Sequence, residues 1–144
     1  MFSNFYPAKF TYDEHDFVTS EQALMYAKAK LMKDEDSAQR ILKAVKPAAC
    51  KALGRRITPY DDELWAAKRV AMMVDILTCK FGQDAELRRV LLDTGTAVIA
   101  EASPRDRIWG IGIGVEAAQR GTKWRGSNHL GNALMEARTR LADS

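Results

Sequence analysis

The spacing of the apolar residues constrains the fold of this chain more than any other feature of its sequence. Over most of the 144 residues, apolar side chains recur every three or four positions, which is the period of an amphipathic helix. The segment Thr19-Ser-Glu-Gln22 has the pattern of a capping box, in which a hydroxyl and an amide side chain satisfy backbone N–H groups of the first turn. It predicts a first helix that runs to about Met32 and ends in the acidic turn beginning at Asp34.

Further start and stop residues divide the middle of the chain into helices. Ser37 is predicted to cap a second helix, and Pro47 suits the first turn of a third, with Gly54 at its carboxyl-terminal exit. The dipeptide Thr58-Pro59 is predicted to open the longest helix, which continues to Phe81-Gly82. The middle of the chain is therefore predicted to be a series of helices joined by short turns.

The helical pattern fails once, in the last third of the chain. Asp84 is predicted to cap a helix that ends before Gly95, and Asn128 or Ser127 to cap the final helix. Between them, residues 94–126 contain six glycines and a proline, which predicts a long structured loop. Loops of this length in compact domains usually carry function.

The predicted fold class is all-α, a compact multi-helix domain with a short irregular or β-hairpin amino terminus. Residues 1–18 are rich in Phe and Tyr and are expected to form either a small hairpin or an extended lid. A length of 144 residues is typical of one domain, so residues 1–144 are predicted to form a single unit.

The composition argues against several functional classes. Cys50 and Cys79 cannot form a disulfide framework, which favours a reduced, cytoplasmic setting. The longest apolar run, Val70 to Val74, is far shorter than the ~20 residues that span a bilayer, and no signal-peptide pattern is present, so no membrane association is expected. His15 and His129 are the only histidines, so we do not expect a zinc site. No cofactor is expected either.

Positive charge is concentrated near the carboxyl end. The whole chain has a net charge of +3, whereas the segment from Arg105 to Arg140 holds seven basic and three acidic residues. This excess suits a phosphate-bearing ligand, although a solvated surface would give the same composition.

The first helix carries two charged residues on its apolar face. Glu21 and Lys28 share a stripe with Leu24 and Leu31, because the four positions advance by three, four and three residues. The two charges lie about 10 Å apart along the axis, so they cannot pair directly. Because burying an unpaired charge is costly, each must meet a partner, a ligand or water. The alternative is that Glu21 merely favours the positive end of the helix dipole while Lys28 extends outward to solvent.

The glycine-rich loop contains a second candidate carboxylate. Asp106 is flanked by two arginines, which would keep it ionised, and Trp109 follows at three residues. An Asx turn that only shapes the loop would explain Asp106 equally well. Gly112 and Gly114 resemble part of a dinucleotide-binding fingerprint, but no strand precedes them and too few residues follow. We interpret this segment as a place where backbone approaches a ligand beside an aromatic surface.

Taken together, these motifs resemble the NADAR family of YbiA-like N-glycosidases. The resemblance extends in order over essentially the whole chain. Its blocks are Phe2-Ser-Asn-Phe-Tyr-Pro7, Thr19-Ser-Glu-Gln22 with Lys28, Leu53-Gly-Arg55, Trp65, Lys80-Phe81, Leu92 to Thr94, Glu101, Asp106-x-x-Trp-Gly110, and Asn128-x-Leu-Gly131 with Met135 and Arg138.

The resemblance implies a mainly helical, metal-independent enzyme that hydrolyses N-glycosidic bonds of ribose. Two substrate classes remain open, namely ribosylamino-pyrimidine phosphates of riboflavin synthesis and ADP-ribose attached to guanine in nucleic acid. The implied catalytic residues are Glu21, Lys28 and Asp106. The implied substrate-binding residues are Asn4, Phe5, Trp65, Trp109, Gly110 and Asn128.

In such a reaction we expect Glu21 to shuttle a proton, with its pKa raised by burial. Lys28 would act either electrostatically or as a Schiff-base nucleophile on ring-opened ribose. Asp106 would hold ribose hydroxyls, Trp109 would stack on the base or line the sugar, and the basic segment would meet phosphates. The alternative functions are a non-catalytic ADP-ribose or nucleotide reader and a helical scaffold for a protein partner. The oligomeric state is not predicted.

Overall fold

A computed structural model describes residues 9–44, 46–95, 99 and 128–143 of the chain. Within these residues the structure is mainly helical, with one small antiparallel sheet near the amino terminus. This confirms the predicted helical class and, of the two alternatives for the amino-terminal region, the hairpin. The elements are β1 (Phe10–Tyr12), β2 (His15–Phe17), α1 (Ser20–Leu31), α2 (Glu35–Lys43), α3 (Pro47–Arg55), α4 (Asp62–Gln83), α5 (Ala85–Asp93) and α6 (His129–Ala142).

The hairpin is closed by a two-residue turn. Asp13 and Glu14 both have positive φ, 51° and 65°, as a type I′ turn requires. Phe10 pairs with Phe17 across the strands, and both rings are buried. The hairpin is attached to α1, because the Tyr26 hydroxyl donates a hydrogen bond to the Asp13 carboxylate at 3.2 Å.

Helix α1 lies at the centre of the amino-terminal half and packs against α2, α3 and α4. Its predicted cap is confirmed, since the Thr19 hydroxyl accepts a hydrogen bond from the Gln22 backbone N–H at 3.1 Å. The Gln22 side chain differs from the capping-box prediction. It accepts from the Val18 N–H rather than from that of Thr19, and it donates to the Ile41 carbonyl. Gln22 therefore links α1 to α2 as well as ordering the first turn.

The predicted cap of α2 was wrong by three residues. Asp34, rather than Ser37, is the N-cap, and its carboxylate accepts from the Ser37 backbone N–H at 3.1 Å. The Ser37 hydroxyl donates to the same carboxylate at 2.6 Å, as does the Thr58 N–H at 2.9 Å. Both Asp34 and Ser37 are good cap residues, and the carboxylate takes the cap because it can accept several donors at once.

Two predicted helix ends were also wrong. Gly54 lies inside α3, which ends at Arg55, and Gly82 lies inside α4. A Cβ atom at Gly54 would collide with the Met25 sulfur of α1, so this glycine permits close helix contact. Helix α4 begins after Asp61, whose carboxylate accepts from the backbone N–H of Leu64, and not at Thr58-Pro59.

The carboxyl-terminal predictions were largely confirmed. Asp84 caps α5, and Gly95 follows its end at φ +61°. Asn128 occupies the N-cap position of α6, but at φ 54° its side chain makes no capping hydrogen bond and instead donates to the Ile99 carbonyl at 2.8 Å. The predicted loop lies almost wholly outside the described residues. Helix α4 packs against α1, α5, α6 and β1 and forms the main body of the core.

Candidate active site

Glu21 and Lys28 lie on one face of α1, where the sequence places them. Glu21 is in the first turn and only 6% exposed, and Lys28 is half-buried two turns further along. The carboxylate is near enough to raise the pKa of the lysine, although burial, the larger effect, lowers it. The acid and the amine therefore share one partly dehydrated environment rather than extending into bulk solvent.

The Lys28 amine is held on three sides. Its Nζ donates a hydrogen bond to the Gly54 carbonyl at 3.2 Å. The same atom lies 4.9 Å from the centre of the Tyr60 ring and 5.5 Å from that of Trp65, close enough for cation–π attraction. Burial lowers the pKa of Lys28, and the carboxylates of Glu21 and Asp62 oppose that effect.

The local sequence explains how these groups converge. Gly54 lets α3 approach α1 closely enough for its carbonyl to reach Lys28. Trp65 lies in the first turns of α4, near the carboxyl end of α1, because those two helices pack together. The segment before α4 is attached to the end of α1 by the Asp61 N–H, which contacts the Met32 sulfur at 3.3 Å.

A buried thiol lies on the Glu21 side of the site. Burial, followed by the Glu21 carboxylate, raises the pKa of Cys50 to about 11. Its Sγ donates to the Ala44 carbonyl at 3.2 Å. The thiol is therefore protonated at neutral pH, which does not suit a nucleophile.

The described part of the chain includes two of the predicted substrate-binding residues. Trp65 is 7% exposed, and its ring faces the Lys28 amine. Asn128 is 1% exposed, and its amide binds the Ile99 carbonyl beside Gly131, where a Cβ would collide with that carbonyl. Each residue thus already has a partner within the protein. Whether either also contacts substrate stays a prediction.

The other predicted site residues lie outside the described residues. They are the catalytic candidate Asp106 and the substrate-binding candidates Asn4, Phe5, Trp109 and Gly110. Their roles stay predictions.

The structure draws attention to three residues to which the sequence analysis assigned no role. The Tyr60 ring contacts the Lys28 amine, and the Asp62 carboxylate raises the pKa of that amine. Both residues lie some thirty positions further along the chain, so no local spacing predicts that they are close to Lys28. Lys80 is 1% exposed, and burial lowers its pKa to about 8. Its position on the stripe of Met73 and Ile76 could have revealed it, by the same spacing that revealed Lys28.

Comparison with known proteins identifies the family. The sequence model of the family named NADAR domain matches residues 1–142 of this chain. The chain belongs to the NADAR family. Protein irg-1 of Caenorhabditis elegans is 38% identical over 98% of this chain and 75% of that protein. N-glycosidase R617 of Acanthamoeba polyphaga mimivirus is 34% identical, covering 96% of this chain and 85% of the relative.

The bacterial NADAR relatives agree in sequence and in structure. N-glycosidase YbiA of Escherichia coli strain K12 is 32% identical over 98% of this chain and 81% of its own. The NMR structure of the E. coli protein YbiA superposes with a TM-score of 0.80 at 31% identity, covering 99% of this chain and 77% of that one. The predicted YbiA-like family and the prediction of an N-glycosyl hydrolase are confirmed.

Neither a cluster of metal ligands nor a membrane-spanning helix occurs within the described part of the chain. Among those residues no three His, Cys, Asp or Glu side chains are grouped so as to hold a metal ion. In the same part of the chain, no helix has the length and apolarity needed to cross a membrane.

Proposed function

We propose that this NADAR-family enzyme hydrolyses the N-ribosidic bond of a phosphorylated or ADP-ribosylated ribose, with Glu21 and Lys28 as its reacting side chains. One observation carries the proposal. A buried carboxyl and a half-buried amine share a face of α1, and the amine lies between two aromatic rings and a backbone carbonyl.

The chemistry requires a proton donor and a stabiliser of positive charge. As the bond from ribose to nitrogen breaks, positive charge develops at the anomeric carbon and the departing nitrogen takes up a proton. Glu21 suits the proton transfer, because its carboxyl is largely shielded from bulk water and faces the same side as Lys28. After departure of the base, the same group activates the water that attacks the sugar.

Lys28 has two routes open to it. As an ammonium it would bind the anionic part of the substrate. As a neutral amine it would attack the anomeric carbon of the ring-opened sugar. The base nitrogen then leaves with a proton, and water hydrolyses the resulting lysine imine. The lowering of the Lys28 pKa by burial favours the neutral amine that this second route needs.

The substrate class rests on the charge of the chain. The segment from Arg105 to Arg140 carries seven basic residues against three acidic ones, which suits phosphate groups. This supports both ADP-ribose on guanine in nucleic acid and ribosylamino-pyrimidine phosphates. In either case, Asp106 is assigned to the ribose hydroxyls and Trp109 to the base or the sugar.

Two substitutions test the catalytic pair. We expect Glu21→Gln and Lys28→Ala each to lower turnover of ADP-ribosylated guanosine oligonucleotide, or of ribosylamino-pyrimidine phosphate, by about 100-fold or more. Lys30→Ala is the matched control, because this exposed lysine of the same helix pairs with Glu35 at 2.8 Å. Wild-type turnover in both test variants, with unchanged circular dichroism, would remove the mechanism.

A second experiment separates the two routes and the reader alternative. Borohydride added during turnover reduces a lysine imine to a stable adduct, which mass spectrometry locates at Lys28 if the covalent route operates. Turnover without an adduct favours the electrostatic role. Tight retention of the oligonucleotide without release of ADP-ribose would instead indicate a non-catalytic reader.

A further inference from the structure

Tyr60 stands out because it is exposed and yet contacts the candidate active site. Among the described residues it is the large apolar side chain that remains exposed, at 46%. One face of its ring lies 4.9 Å from the Lys28 amine. An aromatic ring on a connecting segment is free to adopt many orientations, so something must hold Tyr60 against the amine.

Asp62 holds the ring in place. The Tyr60 hydroxyl donates a hydrogen bond to the Asp62 carboxylate at 2.8 Å. Asp62 is the first residue of α4, so its position is fixed by the helix. The backbone on either side of the ring is also attached, since the Thr58 N–H binds the Asp34 carboxylate and the Asp61 N–H contacts the Met32 sulfur.

Asp62 acts on the amine in a second way. Burial lowers the pKa of Lys28, whereas the charges of Glu21 and Asp62 raise it. These two carboxylates are the charged groups that act on the amine from α1 and α4, and α3 presents the neutral Gly54 carbonyl. The ring of Tyr60 adds to the carboxylates, because an aromatic face attracts the charged form of a lysine.

We propose that Tyr60 and Asp62 are positioning residues for Lys28: Asp62 orients the Tyr60 ring, and the ring fixes the location and the protonation of the lysine amine. This proposal deepens the proposed function. It rests on that function only in assuming that Lys28 is important for turnover. The contact itself belongs to the free enzyme.

The first test measures the amine directly, without substrate. NMR titration of the Lys28 Cε signal in lysine-labelled protein is compared among the wild type, Tyr60→Leu and Tyr60→Phe. Tyr60→Leu removes the aromatic face, so the pKa of Lys28 falls further. Tyr60→Phe retains an aromatic face but loses the hydrogen bond to Asp62, so we expect a smaller fall. An unchanged titration in Tyr60→Leu overturns the proposal. Because Tyr60 is exposed, all three proteins are expected to fold.

The second test separates the two effects of Asp62. Asp62→Asn removes the charge but keeps an acceptor for the Tyr60 hydroxyl, whereas Asp62→Ala removes both. We expect both variants to lower the pKa of Lys28. Only Asp62→Ala and Tyr60→Leu should also lower kcat, by about three- to tenfold with little change in KM. A kcat in Asp62→Ala equal to that of Asp62→Asn contradicts the orienting role.

The outcomes distinguish this proposal from the proposed function. Wild-type turnover in Lys28→Ala removes the catalytic role of the lysine and leaves the NMR result to stand by itself. Loss of turnover in Lys28→Ala, combined with wild-type titration and turnover in Tyr60→Leu, leaves the catalytic role intact and removes the positioning role.

Discussion

Two lysines of this protein lie on apolar helix faces, and their surroundings differ. Lys28 is half-buried, and its amine meets a backbone carbonyl and two aromatic rings. Lys80 is 1% exposed in the middle of the core, with its amine 5.9 Å from the centre of the Phe81 ring. Burial lowers the pKa of both, but that of Lys80 falls to about 8, whereas carboxylates oppose the fall at Lys28.

The difference teaches that burial and reactivity are separate properties. A ligand can reach a half-buried amine at the wall of a site, whereas it reaches a fully buried one only after local opening of the core. A perturbed pKa marks both residues, so it cannot by itself distinguish a reacting group from a structural one. The accessibility of its amine favours Lys28.

The largest expected effect is the difference in turnover between substitutions of the two lysines. Methionine has nearly the volume of lysine without its charge, so it is a matched replacement at both positions. We expect Lys28→Met to lower turnover about 100-fold or more, and Lys80→Met to stay within about threefold of the wild type. Steady-state kinetics on the same substrate provide the measurement. Comparable losses in the two variants would mean that the core lysine also serves the reaction.

The next largest effect concerns stability and pH. The pKa of Lys80 is about 8 in the folded chain and 10.5 as its ordinary value, so the unfolded chain binds more protons between these two pH values. Stability therefore rises with pH across that interval. A pKa lowered from 10.5 to about 8 corresponds to about 3 kcal/mol. Lys80→Met lacks this gain. As the pH rises from 7 to 10.5, the free energy of unfolding of the variant should therefore fall by about 3 kcal/mol relative to that of the wild type.

Urea denaturation of both proteins at several pH values measures this difference. Tyr12 and Cys50, whose pKa values are raised to about 12 and about 11, act in the opposite direction above pH 9. They are the same in both proteins and cancel in the comparison. Parallel pH profiles for wild type and variant would show that Lys80 titrates normally in the folded state.

The sequence predicted the parts of the fold that local chemistry decides. Thr19 and Asp84 cap helices as expected, and Gly95 follows a helix end with positive φ. The spacing of Glu21 and Lys28 also predicted a shared buried face, because a helix fixes which residues lie together. These predictions depend on residues within about two helical turns of each other.

The predictions that failed depend on contacts between distant segments. Gly54 was predicted to mark a helix end, but the need for glycine there comes from Met25 of α1, with which a Cβ atom would collide. Tyr60 carried no signal, because its importance arises only where its segment meets α1. Asn128 looked like a side-chain cap, but its amide binds the Ile99 carbonyl. Packing between elements overrides local preference at such positions, and one sequence does not reveal that packing.

The smallest predicted effect compares a glycine beside each lysine. An alanine at Gly54 would collide with the Met25 sulfur at the Lys28 site, whereas at Gly82, near Lys80, a Cβ would lie 3.2 Å from the Leu141 side chain. Alanine is better than glycine inside a helix by about 1 kcal/mol, and overpacking costs about 1–3 kcal/mol. We therefore expect Gly54→Ala to destabilise by about 1 kcal/mol and Gly82→Ala to be near neutral.

The kinetic consequence should be confined to the Lys28 side. Moving α3 away from α1 displaces the Gly54 carbonyl that binds the lysine amine, so Gly54→Ala should lower kcat about threefold while Gly82→Ala leaves it unchanged. Shortening the obstructing side chain with Met25→Ala should restore kcat in the double variant, even though the cavity lowers stability further. Recovery of activity without recovery of stability would show that the distance between the helices, and not the overall stability of the fold, controls the amine. The four proteins to compare are the wild type, Gly54→Ala, Gly82→Ala and the double variant Gly54→Ala with Met25→Ala. If kcat follows the unfolding temperature across all of them, the Gly54 carbonyl has no separate role in holding Lys28.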